Sequence, residues 1–205
     1  MDKYVIDTNI FFNMEAATGL GKSTAELAKM IEKAENNTNS KIELLAPPSI
    51  AAEIKTFFKK QDDPLLNKIL GFLTITSPSI NKVQISAQVL SDIVEDYRQR
   101  SFRGMKIAEE ELTATAQAFM GRETLVQKEF QIAVGKIISK LRERYRNATR
   151  TGTLDSQADF DLIALALEQD ACLVTADEGV LNWGRKIGLK EMSPVTFGKT
   201  ILEYL

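Results

Sequence analysis

The chain has 205 residues, no histidine, one cysteine and a net charge of −2, which leaves few routes to hydrolytic chemistry. Without histidine there is no Ser-His-Asp or Cys-His nucleophile system and no imidazole acid–base pair. A lone Cys172 excludes a disulfide framework and a cysteine zinc site, and no apolar run approaches the roughly 18 residues that a membrane span needs.

Residues 3–7 read as a short buried strand, and a chain that starts directly with a strand predicts no signal peptide and a cytoplasmic setting. Ser23-Thr24-Ala25-Glu26 is a capping box that opens an apolar-periodic helix through Leu27, Met30, Ile31 and Ala34. The preceding Gly19-Leu20-Gly21-Lys22-Ser23 is no phosphate loop. That motif needs a glycine five residues before its Gly-Lys pair, and Ala16 stands there. After a turn at 36–40, residues 42–46 form a second strand. Pro47-Pro48-Ser49 begins a helix carrying Ile50, Glu53, Ile54, Phe57 and Phe58, with proline tolerated in the first turn. Asp62-Asp63-Pro64 opens another helix, and residues 73–76 form a third strand.

From Ile80 to Arg150 strand signals vanish. Val89, Ile93, Val94 and Tyr97 mark one helical face. Leu125, Phe130, Val134, Ile137, Ile138, Leu141 and Tyr145 mark another, with Gly121 between them. Sheet signals return at 172–177 and 189–192, among helices near 159–169, 178–187 and 195–204. Strands alternating with helices predict a parallel α/β sheet with right-handed crossovers. The organisation expected is a core from 1–85 and 151–205, interrupted by a basic helical hairpin over 86–150.

The hairpin concentrates positive charge. Residues 98–150 hold 12 Lys/Arg against 6 Asp/Glu, and the rest of the chain 14 against 22. An acidic body with a basic segment suits a polyanion gripped in one place and processed in another, although a solvated helical surface accounts for the charge as well. The candidate RNA-gripping residues are Arg98, Arg100, Arg103, Lys106, Arg142, Arg144, Arg146 and Arg150.

The acidic residues fall where a parallel sheet would gather them. Asp7 and Asp177 each end an apolar strand, Glu53 lies on the helix after the second strand, and Asp155, Asp159 and Asp161 cluster at the start of an apolar helix. Ligands of open parallel sheets bind outside the carboxyl ends of strands. A carboxylate pocket without histidine suits hard divalent cations, which take oxygen ligands. Two such ions about 3.5–4 Å apart can activate water and hold the charge of a phosphodiester under attack. Taken singly, Asp155, Asp159 and Asp161 also read as partners of a helix dipole, and Glu53 as a solvent-facing helix residue. Thr8, Asn9 and Thr175 are candidate donors that would orient the carboxylates.

Val-Ile-Asp-Thr-Asn at 5–9, Pro-Ser-Ile-Ala-Ala-Glu at 48–53, Asp-Phe-Asp-Leu-Ile-Ala-Leu-Ala at 159–166 and Leu-Val-Thr-Ala-Asp at 173–177 resemble a PIN-domain nuclease. Residues 103–110, 140–146 and 152–161, with Thr175-Ala176-Asp177-Glu178-Gly179, extend the likeness to HARP, the small protein-only ribonuclease P family. The resemblance implies a PIN-like three-layer core and Mg²⁺- or Mn²⁺-dependent removal of the 5′ leader from precursor tRNA. It implies that Asp7, Asp159, Asp161 and Asp177 are the central metal-binding acids, with Asp155 a further member and Glu53 at the usual PIN acidic position. It also implies a large homo-oligomer built through the helical hairpin. Two rival readings stand beside it. One is a toxin-like PIN ribonuclease with another RNA target; the other is a non-catalytic PIN-derived RNA-binding or scaffold protein.

Overall fold

The computed structural model describes residues 2–13, 18–37, 42–121, 125–150, 152–154 and 156–205. The chain divides into two compact units, Met1–Ile85 with Gly152–Leu205, and Ser86–Thr151.

The first unit is built on a five-stranded parallel sheet in the order β3-β2-β1-β4-β5. Its strands are β1 (Asp2–Ile6), β2 (Ile42–Ala46), β3 (Thr74–Ile75), β4 (Cys172–Val174) and β5 (Glu191–Met192). The central strand β1 sets Val5 beside Leu45 on one side and beside Leu173 on the other. All three residues are buried, as expected of an all-parallel sheet whose crossover helices cover both faces. The helices of this unit are α1 (Asn9–Phe12), α2 (Thr24–Glu35), α3 (Pro48–Thr56), α4 (Pro64–Gly71), α7 (Gln157–Gln169), α8 (Glu178–Ile187) and α9 (Pro194–Glu203). After β1 the chain moves outward through β2 and β3. It then returns to the other side of β1 for β4 and β5. The gap between β1 and β4 is therefore the switch point of the sheet, where such folds place their ligands.

Local signals account for the helix starts. Ser23 Oγ accepts from the Glu26 N–H at 3.3 Å, and Glu26 Oε2 accepts from the Lys22 N–H at 2.6 Å. This is a capping box whose return bond lands one residue earlier than usual. Asp63 caps α4 ahead of Pro64, and Ser156 caps α7. Leu162 to Ala166 on α7 are all buried, which fixes this helix against the sheet.

The second unit pairs α5 (Ala87–Phe119) with α6 (Gln127–Arg150). The two helices run antiparallel: Phe119 meets Phe130, Glu111 meets Arg144, and Arg100 donates to the Thr149 carbonyl. Gly104 lets them close, because a Cβ there would stand 2.7 Å from the Tyr145 ring. The apolar faces read from the sequence bury little within this unit. On α5 only Val89, Gly104 and Glu111 are buried, and on α6 no described residue is.

Strand ends differ from expectation. The strand predicted over 172–177 stops at Val174, because Thr175 turns its hydroxyl toward Asp7 and Asp177 becomes the N-cap of α8. The strand predicted over 73–76 is only Thr74–Ile75.

Candidate active site

Asp7 lies one residue beyond β1 and is 7% exposed. Its carboxylate is held from three sides. Thr175 Oγ1 donates to Oδ2 at 2.6 Å, Asn9 Nδ2 donates to the same oxygen at 2.6 Å, and Thr8 Oγ1 donates to Oδ1 at 3.1 Å. Asn9 also donates to Thr175 Oγ1 at 3.0 Å and accepts from the Ala176 N–H at 3.2 Å, so one side chain ties the end of β1 to the end of β4. Burial pushes the Asp7 carboxyl above its ordinary pKa. Hydrogen bonds from Thr175 and Thr8 pull it back, and the negative charge of Glu53 pushes it up again.

A cavity of about 550 Å³ opens over this point, lined by Asp7, Thr8, Asn9, Ser49, Glu53, Ser156, Ala158, Asp159 and Asp177. Four carboxylates from four separate parts of the chain therefore share one space, and none of these lining residues is basic. Glu53 reaches it from α3 and Asp159 from the first turn of α7. Asp177 reaches it from the N-cap of α8, where its Oδ1 accepts from the Gly179 and Val180 N–H groups at 2.7 and 3.0 Å. Helix capping thus engages one oxygen of Asp177. Gly179 is required beside it, since a Cβ would lie 2.4 Å from the Thr153 carbonyl oxygen.

Asp161 stands apart from this lining. Ser49 Oγ donates to its Oδ2 at 2.7 Å and Gln157 Nε2 to its Oδ1 at 3.0 Å, so both oxygens are engaged and α7 is joined to α3. Asp155 lies outside the described residues. Ser49 and Ser156 were not legible as site residues. Serine in the first turn or at the N-cap of a helix is common, and no spacing marks it as facing a carboxylate.

The donor set is made of hard oxygens, which fits Mg²⁺ or Mn²⁺ and not softer metals. Among the described residues, no three metal-binding side chains converge closely enough to form a ready-made cage. Mg²⁺ does not require one, because it commonly keeps several waters and takes one or two carboxylates.

The basic residues of the hairpin differ in their commitments. Arg144 donates to Glu111 and to Glu110, each at 2.6 Å, and Lys140 lies 3.0 Å from Glu111. Arg100 is held by Asp96 and the Thr149 carbonyl. These two guanidiniums are largely engaged within the hairpin. Arg98 pairs with Glu95 at 3.4 Å but stays exposed, and Arg103 and Lys106 are exposed. Arg142, Arg146 and Arg150 stand four residues apart and line a second cavity of about 440 Å³ with Tyr145, Leu141 and Ala108. At 1.5 Å of rise per residue their Cα atoms repeat every ~6 Å along α6.

A family model described as a PINc domain ribonuclease matches residues 3–205. The chain is 35% identical to the RNA-free ribonuclease P of Ignicoccus hospitalis, covering 100% of this chain and 97% of that protein. It is 33% identical to the RNA-free ribonuclease P of Pyrococcus furiosus, over 100% of this chain and 94% of that one. It is also 32% identical to that of Haloarcula marismortui, over 99% and 91%. With an acid-lined cavity at the switch point of a parallel sheet and a likeness that runs the full length, the chain belongs to the PINc-domain ribonucleases and, within them, to the RNA-free ribonuclease P family.

Proposed function

We infer that this protein is a protein-only ribonuclease P, an endoribonuclease that removes the 5′ leader of precursor tRNA in the cytoplasm. The observation that carries the reading is the extent of the likeness, which includes the hairpin as well as the nuclease core. Water attacks the phosphorus at the leader junction and the bond to the leader's O3′ breaks. The tRNA keeps a 5′-phosphate and the leader ends in a 3′-hydroxyl.

Asp7, Glu53, Asp159 and Asp177 would hold Mg²⁺ or Mn²⁺, with Asp155 and Asp161 as further acids of the cluster. A divalent cation supplies, when bound, an activated water and neutralisation of the charge that develops on the phosphate. The protein's own part is positional. Thr175, Thr8 and Asn9 fix the Asp7 carboxylate, and the Asn9 bridge keeps the ends of β1 and β4 together. The basic hairpin binds the tRNA body by its backbone and shape, since duplex RNA hides most base edges in its deep major groove. Support for that role comes from Arg142, Arg146 and Arg150, whose spacing along α6 suits successive phosphates.

Self-association is part of the same reading. Leu90, Val94, Tyr97, Phe102, Met105 and Leu112 on α5 and Phe130, Ile132, Ile138 and Tyr145 on α6 are exposed. That much apolar surface on one helix pair suits burial against further copies of the chain.

The test uses purified protein and a 5′-labelled precursor tRNA, incubated with Mg²⁺ or with chelator, and maps the cut. One cut at the leader junction is expected, absent with chelator and absent in Asp7→Asn. A cut in the anticodon loop would instead support the toxin-like alternative, and no cut with any divalent metal would support a non-catalytic role.

A further inference from the structure

Two helices that line the acidic cavity continue directly into a cluster of aromatic rings. On α1, Phe12 follows Asn9 by three residues; at the end of α3, Phe57 follows Glu53 by four. Residues so spaced share a helix face, so Phe12 and Phe57 stand one turn beyond Asn9 and Glu53, just outside the residues that line the cavity. Their rings are stacked, with centroids 4.1 Å apart and planes 2° from parallel. Phe58 meets Phe12 edge-on at 5.9 Å, and Phe11 meets it at 6.2 Å. Phe11 is buried and rests on Phe72, which is buried too. Phe12 is thus braced by its neighbours and forms the inner tile of the stack. Phe57 is the outer tile: it is 54% exposed, with one face covered by Phe12.

A braced ring with an exposed face, one helical turn from an acid that lines the cavity, offers its open side to a third flat ring. Lys55, Lys59 and Lys60 are all exposed and flank Phe57 and Phe58, with no ion pair to any described residue. Of the acids that follow, Asp63 is engaged in capping α4. Aromatic rings between lysines are the recurring means of holding single-stranded RNA, because every base has a π face and every nucleotide a phosphate.

We propose that Phe57, backed by Phe12, is a stacking platform for an unpaired nucleobase of the leader next to the scissile bond. The proposal rests on the reading of the cavity as the site that cleaves precursor tRNA. The leader is the source to expect. It is joined covalently to the bond being cut, whereas the acceptor-stem bases on the other side are paired and stacked within their own duplex. The unpaired 3′ tail is the other source of a free base.

The experiment compares wild type with Phe57→Ala, Phe57→Leu and Phe57→Trp, after checking that each folds by circular dichroism and melting temperature. Substrates are a precursor tRNA with a six-nucleotide leader, the same RNA with an abasic site at each leader position in turn, and mature tRNA with a 5′-phosphate. Cleavage KM and kcat are measured for the precursors, and affinity for the mature form. Losing one stacked base should raise KM about tenfold. In the wild type one abasic position near the junction should do this. Phe57→Ala and Phe57→Leu should raise KM as much on the intact leader and be blind to that abasic site. Phe57→Trp should behave as wild type. Leucine keeps the apolar bulk, so its failure would locate the effect in the flat ring and not in folding. Unchanged KM in folded Phe57→Ala and Phe57→Leu, with normal cutting by wild type, would overturn the platform alone. Equal weakening on leaderless mature tRNA would also overturn it, and would place the base on the 3′ tail. A wild type that leaves the leader uncut overturns the parent reading and the platform with it.

Discussion

At the scale of single residues, Asp7 and Asp177 show how one carboxylate can serve both the fold and the site. Asp7→Asn should keep the local network. An amide oxygen can take the place of Oδ2 and accept from Thr175 and Asn9, while the amide nitrogen donates to Thr8, whose hydroxyl can turn to accept. The charge is lost, and with it the burial penalty and the repulsion from Glu53. The variant is therefore expected to melt at or above the wild-type temperature and to cleave nothing; thermal denaturation and the leader assay together check this. At Asp177 the comparison is between asparagine and alanine. Asparagine caps a helix as well as aspartate does, and alanine costs about 1 kcal/mol there. Asp177→Asn should melt normally and be inactive, whereas Asp177→Ala should be inactive and melt a few degrees lower. Near-normal cleavage by the asparagine variant would reduce Asp177 to a cap. Gly179→Ala should be worse for stability than either, because the new methyl meets the Thr153 backbone and not a side chain that can swing away.

At the scale of elements, the hairpin depends on charge where the sheet depends on apolar burial. Glu111 is 5% exposed on its side chain and faces Arg144 and Lys140 from α6. Hydrogen bonds from Arg144 and then Lys140 hold its carboxyl below the usual glutamate pKa. A depressed folded-state pKa contributes stability that is fully present above the unfolded value of about 4.3. That stability is lost as pH falls through the folded value. Helicity at 222 nm should accordingly fall in the acid range, and Glu111→Gln should already be weakened at pH 7 and respond less to acid. Equal acid profiles for the two proteins would show that the pair does not hold the hairpin.

The same contrast explains what was legible in the sequence. Val5, Leu45 and Leu173 lie in continuous apolar runs, so the strands, their parallel arrangement and the gathering of Asp7 with Asp177 at strand ends were legible from pattern. The order β3-β2-β1-β4-β5 was not, because it depends on which edges pair in three dimensions. The hairpin helices were legible as helices, but their apolar residues proved mostly exposed, because periodicity tells which residues share a face and not what covers it. Glu111 could not be found as a buried residue, since its burial depends on Arg144 being opposite in the antiparallel pair. Asp161 was legible as a candidate site acid beside Asp159, but not its bond to Ser49 in the cavity wall. Its turn toward Ser49 depends on how α7 crosses α3, and no local pattern encodes that.

At the scale of the whole molecule, the proposed grip on the tRNA body and the chemistry fall to different stretches of chain and should separate experimentally. Replacing Arg142, Arg146 and Arg150 by alanine should weaken precursor tRNA binding and lower the salt slope by roughly 0.7–0.9 per lost phosphate contact. Arg144→Ala should change the slope little and the hairpin's stability more. An unchanged slope in the triple variant would remove α6 from the RNA interface. Light scattering of the intact chain should report a large assembly, and a version with residues 86–148 replaced by a short linker a small folded species. A monomeric intact protein at micromolar concentration would exclude self-association.

The central place of β1 in the sheet also bears on when the enzyme can first act. Asp7 is synthesised well before the residue that fixes it, since the hydroxyl comes from Thr175, 168 residues later. Asp177 and β4 likewise follow β1, β2, β3 and both helices of the hairpin in the chain. On the ribosome, β1 can pair early with β2, but its other edge must wait until the last strands emerge. Between those moments the hairpin segment can fold locally, from contacts close in sequence, which form faster than distant strand pairings. A nascent or truncated chain that stops before β4 therefore carries the basic hairpin helices without a finished acidic site. Hydrolytic competence has to wait for β4 and the Asp177 cap that follows it, so chains that stop short of β4 should be unable to cut RNA.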